Sequence, residues 1–271
     1  MDFINLLLTF LVGVIEGITE WLPISSTGHM ILFNEFFPLD FSEDFYDLFL
    51  VVIQLGAILA VVMIYWNKLF PFSFRKGESF VKKDIFMLWF KILVSCVPAA
   101  VVGILFEDTF DRLFYNATSV AIALIVFGVF FILIEVLNKK AAKINAISEI
   151  TFYTATLIGI FQVVAAVFPG VSRSGATILG ALLIGVSRTV AAEYTFYLAV
   201  PVMAGASLLK LVKFGFDFSL AEVTYLIVGM VTAFAVSVIA IKFLIGYVKK
   251  HDFKVFGIYR IILGILVLIL L

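Results

Sequence analysis

The sequence predicts an all-α polytopic membrane protein: one membrane domain, an inverted-topology repeat of six transmembrane helices plus two re-entrant helical hairpins. Three observations carry that reading. The chain is 63% hydrophobic and only 14% charged, where a soluble domain carries roughly a quarter charged residues; its mean hydropathy is +1.19. Six apolar runs approach the ~20 residues that a helical span needs. Two further stretches, EGITEWLPISSTGHMIL (Glu16–Leu32) and QVVAAVFPGVSRSGATIL (Gln162–Leu179), look like copies of each other and set polar groups inside apolar sequence: Glu16 and Gln162 each precede the break proline by seven residues, one residue is then inserted, and Ser25 falls on Ser172, Ser26 on Arg173 and Gly28 on Gly175.

Taken in order, the first hairpin covers about 3–36, an apolar arm broken at Pro23 and followed by an arm too short to cross. Spans follow at about 46–66, 86–106 and 118–137. The second hairpin covers about 150–188, with its break at Pro169–Gly170, and spans at about 193–211, 221–243 and 255–271 complete the chain. A non-helical tip at membrane depth survives only where protein or water covers its backbone. Residues 1–145 are thus repeat one and 146–271 repeat two. Each holds a hairpin and three spans, and that odd number inverts the second repeat relative to the first.

The connectors give orientation. Lys68, Arg75, Lys76, Lys82 and Lys83, then Lys139, Lys140 and Lys143, then Lys249, Lys250 and Lys254 mark three cytoplasmic loops by the positive-inside rule. The acidic loops at 37–45 (Asp40, Glu43, Asp44) and 107–112 (Glu107, Asp108, Asp111) fit the outside, while Lys210 and Lys213 run against the rule. The opening MDF lacks a basic n-region, so no cleaved signal peptide is expected. Zero net charge leaves no basic footprint, so no nucleic-acid partner is expected. Cys96, the single cysteine, lies in an apolar run and is expected to pack.

The chemistry gathers at the two breaks. Glu16 and Glu20 are four apart, on one helix face, just before Pro23. Carboxylates at membrane depth are expensive, and two on one face repel unless a cation or a proton sits between them; a shallow arm with both acids solvated is the plain alternative. Ser25, Ser26, Thr27 and Gly28 then read as a helix start, which favours anions or is simply a cap, with His29 directly after. His251 sits among Lys249, Lys250 and Asp252 and reads as solvated. In Pro169–Gly175, two glycines allow close backbone approach, Ser172 and Ser174 offer hydroxyls, and Arg173 matches phosphate oxygens as a planar fork. A structural arginine on helix-end carbonyls is the competing account. Apposed, the two copies suit phosphoester or phosphoanhydride hydrolysis in a membrane-embedded pocket.

EGITEWLPISSTGH and PGVSRSGAT resemble the two hallmark motifs of the undecaprenyl-diphosphate phosphatase, or bacitracin-resistance, family, and FLVVIQLGAILAV (Phe49–Val61) is similar to its third familiar stretch. The resemblance runs from end to end. It implies a bacterial plasma-membrane enzyme that removes the terminal phosphate of a C55 polyprenyl diphosphate, with its site open to the outer face and bacitracin resistance as a consequence. It implies catalytic roles for Glu16, Glu20, Ser26, His29 and Arg173, and phosphate contacts from Ser172, Ser174 and Thr177, with Ser25, Thr27 and Gly175 beside them. The family's two re-entrant hairpins agree with the topology read above. Trp21, where phenylalanine is more usual, is a mild departure.

Within that frame the nucleophile stays open between Ser26 with His29 as base, His29 itself, and a water activated by His29 or Glu20. Glu16 and Glu20 either hold a divalent cation (Mg or Ca) or share a proton; magnesium needs only one or two carboxylates plus substrate phosphates. The alternative class is a secondary transporter or flippase for a lipid-linked phosphate, which shares broken helices and inverted repeats. Small residues such as Gly180–Ala181 and Ala204–Gly205–Ala206 allow close helix contact, within the chain or in a homo-oligomer.

Overall fold

The computed structural model describes residues 2–74, 79–137 and 141–271. Apart from two isolated bridge pairs, Phe72 with Val81 and Ile144 with Val186, the regular structure there is helical. Helix α1 (Phe3–Thr19) starts on Asp2, whose carboxylate accepts from the Ile4 amide at 3.2 Å. After a break come α2 (Ser26–Phe36), α3 (Glu43–Ile64), the single turn α4 (Trp66–Leu69), α5 (Lys83–Phe114) and α6 (Ala117–Leu137). The second half repeats the order with α7 (Phe152–Val167), a break, α8 (Arg173–Leu183), α9 (Arg188–Phe214), α10 (Leu220–Val248) and α11 (Lys254–Leu270). Helix α10 opens on a capping box, Ser219 with Glu222.

Among the described residues, five helices are long and apolar enough to cross a membrane: α3, the Lys83–Phe106 part of α5, α6, α9 and α10. The sixth expected span forms α11, whose 17 residues rise roughly 25 Å, less than the ~30 Å of a hydrocarbon core. The acidic stretch 107–112, expected as a loop, is helical, because α5 continues to Phe114; acids tolerate a helix interior well enough that charge alone does not mark a break. Lys210 and Lys213 lie in the last turns of α9, where cations complement the helix dipole. Arg75, Lys76, Lys139 and Lys140 lie outside the described residues.

The helices pair across the two halves. Helix α1 packs on α10 and α7 on α5, while α3 meets α9 and α6 meets α11. The first two pairings exchange under a swap of halves, since α5 and α10 hold corresponding places in the element order of the two halves. Small residues set the separations. A Cβ at Gly56 of α3 would lie 2.0 Å from the Met230 carbonyl of α10. Gly56→Ala is therefore expected to destabilise the fold by about 1–3 kcal/mol, read as a lower unfolding temperature in detergent. An unchanged midpoint would mean that α3 and α10 can part without loss. Gly180 is used inside the chain, against Phe161, whereas Gly205 has no atom near its Cβ position and lies on the outer surface.

The largest core cluster centres on α9, where Tyr194, Phe196, Tyr197 and Leu198 are fully buried with Trp21 from the first break. Trp21 meets Phe196 edge to face at 5.3 Å between centroids. On the side of the basic loops, Glu135 of α6 accepts from Arg188 of α9 at 2.9 and 2.5 Å and from the Phe253 amide before α11 at 3.0 Å. That buried carboxylate pins three elements and leaves the two breaks at the centre of the bundle.

Candidate active site

The two hairpins break in the same way. Ser25 and Ser172 both have φ 71° and are the only described non-glycine residues with positive φ, a strained setting for a residue with a side chain. Each then caps the next helix: Ser25 Oγ accepts from the Gly28 amide at 3.4 Å and Ser172 Oγ from the Gly175 amide at 3.2 Å. The pairing of Ser25 with Ser172 and Gly28 with Gly175 read from sequence is thus matched in backbone geometry. Gly170, at φ 94°, lies so close to α6 that a Cβ would be 2.7 Å from the Val120 carbonyl; no larger residue fits there.

The tips meet. Arg173 Nη2 donates to Glu20 Oε1 at 2.7 Å, and Nη1 donates to the Thr195 carbonyl at 2.9 Å. Ser174 Oγ donates to the Glu20 carbonyl at 3.1 Å. Ser26 Oγ donates to the other oxygen of Glu20 at 3.4 Å. Glu20 therefore gathers the serine of one hairpin and the arginine of the other. Arg173 Nε is buried and has no hydrogen-bond partner.

Both acids are inside the protein, Glu16 at 2% and Glu20 at 7% exposure, which sets aside the shallow, solvated alternative. The Glu20 amide donates to the Glu16 carbonyl at 3.0 Å, the ordinary helical bond of residues four apart. Glu20 and Arg173 are the electrostatic neighbours of Glu16, and Glu16 Oε1 is buried without a hydrogen-bond partner. Among the described residues no three His, Cys, Asp or Glu side chains cluster as a metal cage. A cation held mainly by substrate phosphates fits nonetheless, because the free Glu16 oxygen is one open ligand and Glu20 lies one turn away.

His29 does not bond to Ser26. Its Nδ1 is 2.7 Å from the Ser25 carbonyl and so carries the proton; its Nε2, 2.7 Å from Tyr259 Oη, accepts from that phenol when the ring is neutral. The two rings also stack, 5.6 Å between centroids. Of the expected phosphate contacts, Thr27 is half-buried on the first turn of α2, and Ser172 and Ser174 hydroxyls lie 3.1 Å apart. Gly175 caps on Ser172, as above. Thr177 is fully buried, with its hydroxyl on the Arg173 carbonyl at 3.0 Å and on Thr195 Oγ1 at 2.9 Å. It props the arginine. Cys96 bonds only back along its helix, to the Ile92 carbonyl, in keeping with a packing role.

Sequence reasoning missed Arg260, which is fully buried in α11. Its Nη1 donates to the Pro23 carbonyl at 3.3 Å and its Nη2 to the Gly170 carbonyl at 2.9 Å, one in each break. Its guanidinium carbon lies 5.9 Å from the Phe127 ring centre and 6.0 Å from that of Phe131. The signal was available: Arg260 is the one charge in the run 255–271, and a charge inside a span points to function by default. Tyr259 and Thr195 were also missed, and nothing local marks them.

The sequence profile of the bacitracin resistance protein BacA family matches residues 9–266. The chain is similar to the undecaprenyl-diphosphatase of Desulfitobacterium hafniense, 61% identical over 99% of this chain and 97% of that protein. It is similar to undecaprenyl-diphosphatase 1 of Clostridium acetobutylicum, 63% identical over 99% and 98%. It is similar to the undecaprenyl-diphosphatase of Enterococcus faecalis, 60% identical over 100% and 98%.

Proposed function

The chain belongs to the bacitracin resistance protein BacA family, and from that premise we propose that it hydrolyses undecaprenyl diphosphate to undecaprenyl phosphate and inorganic phosphate. It thereby recycles a lipid carrier and confers bacitracin resistance. The observation that carries the reading is the ion pair between Arg173 of one hairpin and Glu20 of the other, with Ser26 on the same carboxylate. A phosphoryl transferase needs positioned positive charge and a positioned nucleophile, and this junction holds both.

In the proposed reaction the terminal phosphate sits between the tips. Arg173 and the backbone N–H groups that open α8 hold its equatorial oxygens. Ser26 Oγ attacks phosphorus, its proton passes to Glu20, and the bond to the bridging oxygen breaks with undecaprenyl phosphate as leaving group. Water then cleaves the phosphoserine. Glu20 is favoured over His29 as base because Ser26 donates to Glu20 while both nitrogens of His29 are engaged elsewhere. His29 fixes the first tip by its bonds to Ser25 and Tyr259. A divalent cation, held by Glu16 with Glu20, would neutralise charge on the diphosphate.

The topology proposed with it is the inverted repeat of two re-entrant hairpins with six spans, α11 being the shortest. The matched serine conformations and the exchange of α1–α10 for α7–α5 support it. The reading puts the protein in the plasma membrane with the site toward the outer face, because the positive-inside rule assigns the basic connectors to the cytoplasm. The lipid substrate reaches the tips from the bilayer.

The test is purified protein in detergent with a polyprenyl diphosphate, assayed for inorganic phosphate. Release is expected, and exhaustive chelation is expected to abolish most of it, with magnesium or calcium restoring it. No release in any divalent ion would favour the transporter alternative. Full activity after chelation would replace the cation by a proton shared between Glu16 and Glu20.

A further inference from the structure

Gln162 stands where Glu16 stands in the other copy, seven residues ahead of the break proline in each case. It is 2% exposed. Neither its amide nitrogen nor its amide oxygen has a hydrogen-bond partner. A buried polar group left unpaired costs about 1–3 kcal/mol, and such groups are rare enough that each requires a reason. Glu16 Oε1 is unpaired in the same way. Both members of this repeat-related pair thus present open polar atoms just ahead of the tips.

The repeat relation gives Gln162 a counterpart setting. Glu16 has Arg173 of the other hairpin as an electrostatic neighbour, and the residue aligned with Arg173 is Ser26. Under an exchange of the halves, the position that corresponds to Arg173 beside Glu16 is Ser26 beside Gln162. A third carboxylate there would repel a diphosphate already flanked by Glu16 and Glu20. A carboxamide supplies a donor without a charge. We propose that Gln162 is a further substrate-binding residue, its Nε2–H donating to a diphosphate oxygen on the Ser26 side of the site. The inference rests on the diphosphatase reading and on the repeat.

The rival is a structural role. Pro98 inside α5 leaves the Val94 carbonyl without its helical donor, and α7 packs on α5; yet Gln162 bonds to no such carbonyl. Two variants separate the accounts. Gln162→Met keeps length and removes both polar atoms, and Gln162→Glu keeps shape and replaces the donor with an acceptor. Each is assayed for phosphate release across substrate concentrations. Each is also assayed for the thermal shift induced by a non-hydrolysable methylene-diphosphonate analogue of a polyprenyl diphosphate.

For both, KM is expected to rise and kcat/KM to fall at least tenfold, with the analogue-induced shift lost and the ligand-free unfolding temperature of Gln162→Met unchanged or raised. A Gln162→Met protein that unfolds earlier but keeps KM and the analogue shift within twofold would overturn the proposal in favour of the structural role. If the wild type binds the analogue but releases no phosphate, the diphosphatase reading fails by itself, and the binding arm still decides Gln162. If the wild type binds no analogue at all, both fail.

Discussion

Arg173→Lys is expected to lower kcat/KM at least 30-fold, about 2 kcal/mol or more of lost transition-state stabilisation. The charge is kept, so an effect of that size has to come from geometry. The guanidinium spans the Thr195 carbonyl and Glu20 at 2.9 and 2.7 Å, and its Nε has no hydrogen-bond partner. An ammonium has no planar fork and cannot serve a carbonyl, a carboxylate and a phosphate at fixed angles. Initial rates of phosphate release at low substrate read the loss. A Lys variant within threefold of wild type would show that Arg173 does not grip the phosphate.

Arg260→Met is expected to destabilise the protein by about 3 kcal/mol, because two carbonyls at the tips lose a charged donor, and so to lower the unfolding midpoint by roughly 5–10 °C. Activity is expected to fall with it, since the same carbonyls fix the approach of the first break to the second. Arg260→Lys reaches only one of them and should lie between. A Met variant with an unchanged midpoint would mean that the tips hold each other without the clamp. Breaking the tip-to-tip ion pair itself, by Glu20→Gln, tests something different, because it removes the charge and one of the two oxygens that accept from Ser26 and Arg173.

The parts legible in sequence were those that broke a pattern. Pro23 and Pro169 interrupt apolar runs and are followed by polar clusters, so both hairpin breaks and the meeting of Arg173 with the first copy could be read. The alignment of Ser25 with Ser172 survived the one-residue shift because a cap serine and a following glycine are needed together. What failed was of two kinds. The 107–112 stretch looked like a loop because acids were counted as breaks, although helix propensity does not forbid them. Arg260 and Tyr259 were passed over because the apolar run 255–271 was read as a span and nothing more. The partner of His29 lies 230 residues away, and no local pattern carries such a pairing.

The clamp has a consequence for the order in which the protein can be built. Pro23 and Gly170 emerge from the ribosome well before Arg260, and the helix that covers α1 is α10, more than 200 residues later. Glu16 and Glu20 are therefore made before both the arginine that pairs Glu20 and the helix that covers α1. Contacts this distant along the chain form late. The two carboxylates therefore wait for α8, which brings Arg173, and for α10, which covers α1, and the junction of the tips cannot form before both are made. Synthesis of α11 comes last and adds the arginine that ties one carbonyl of each break to a single side chain.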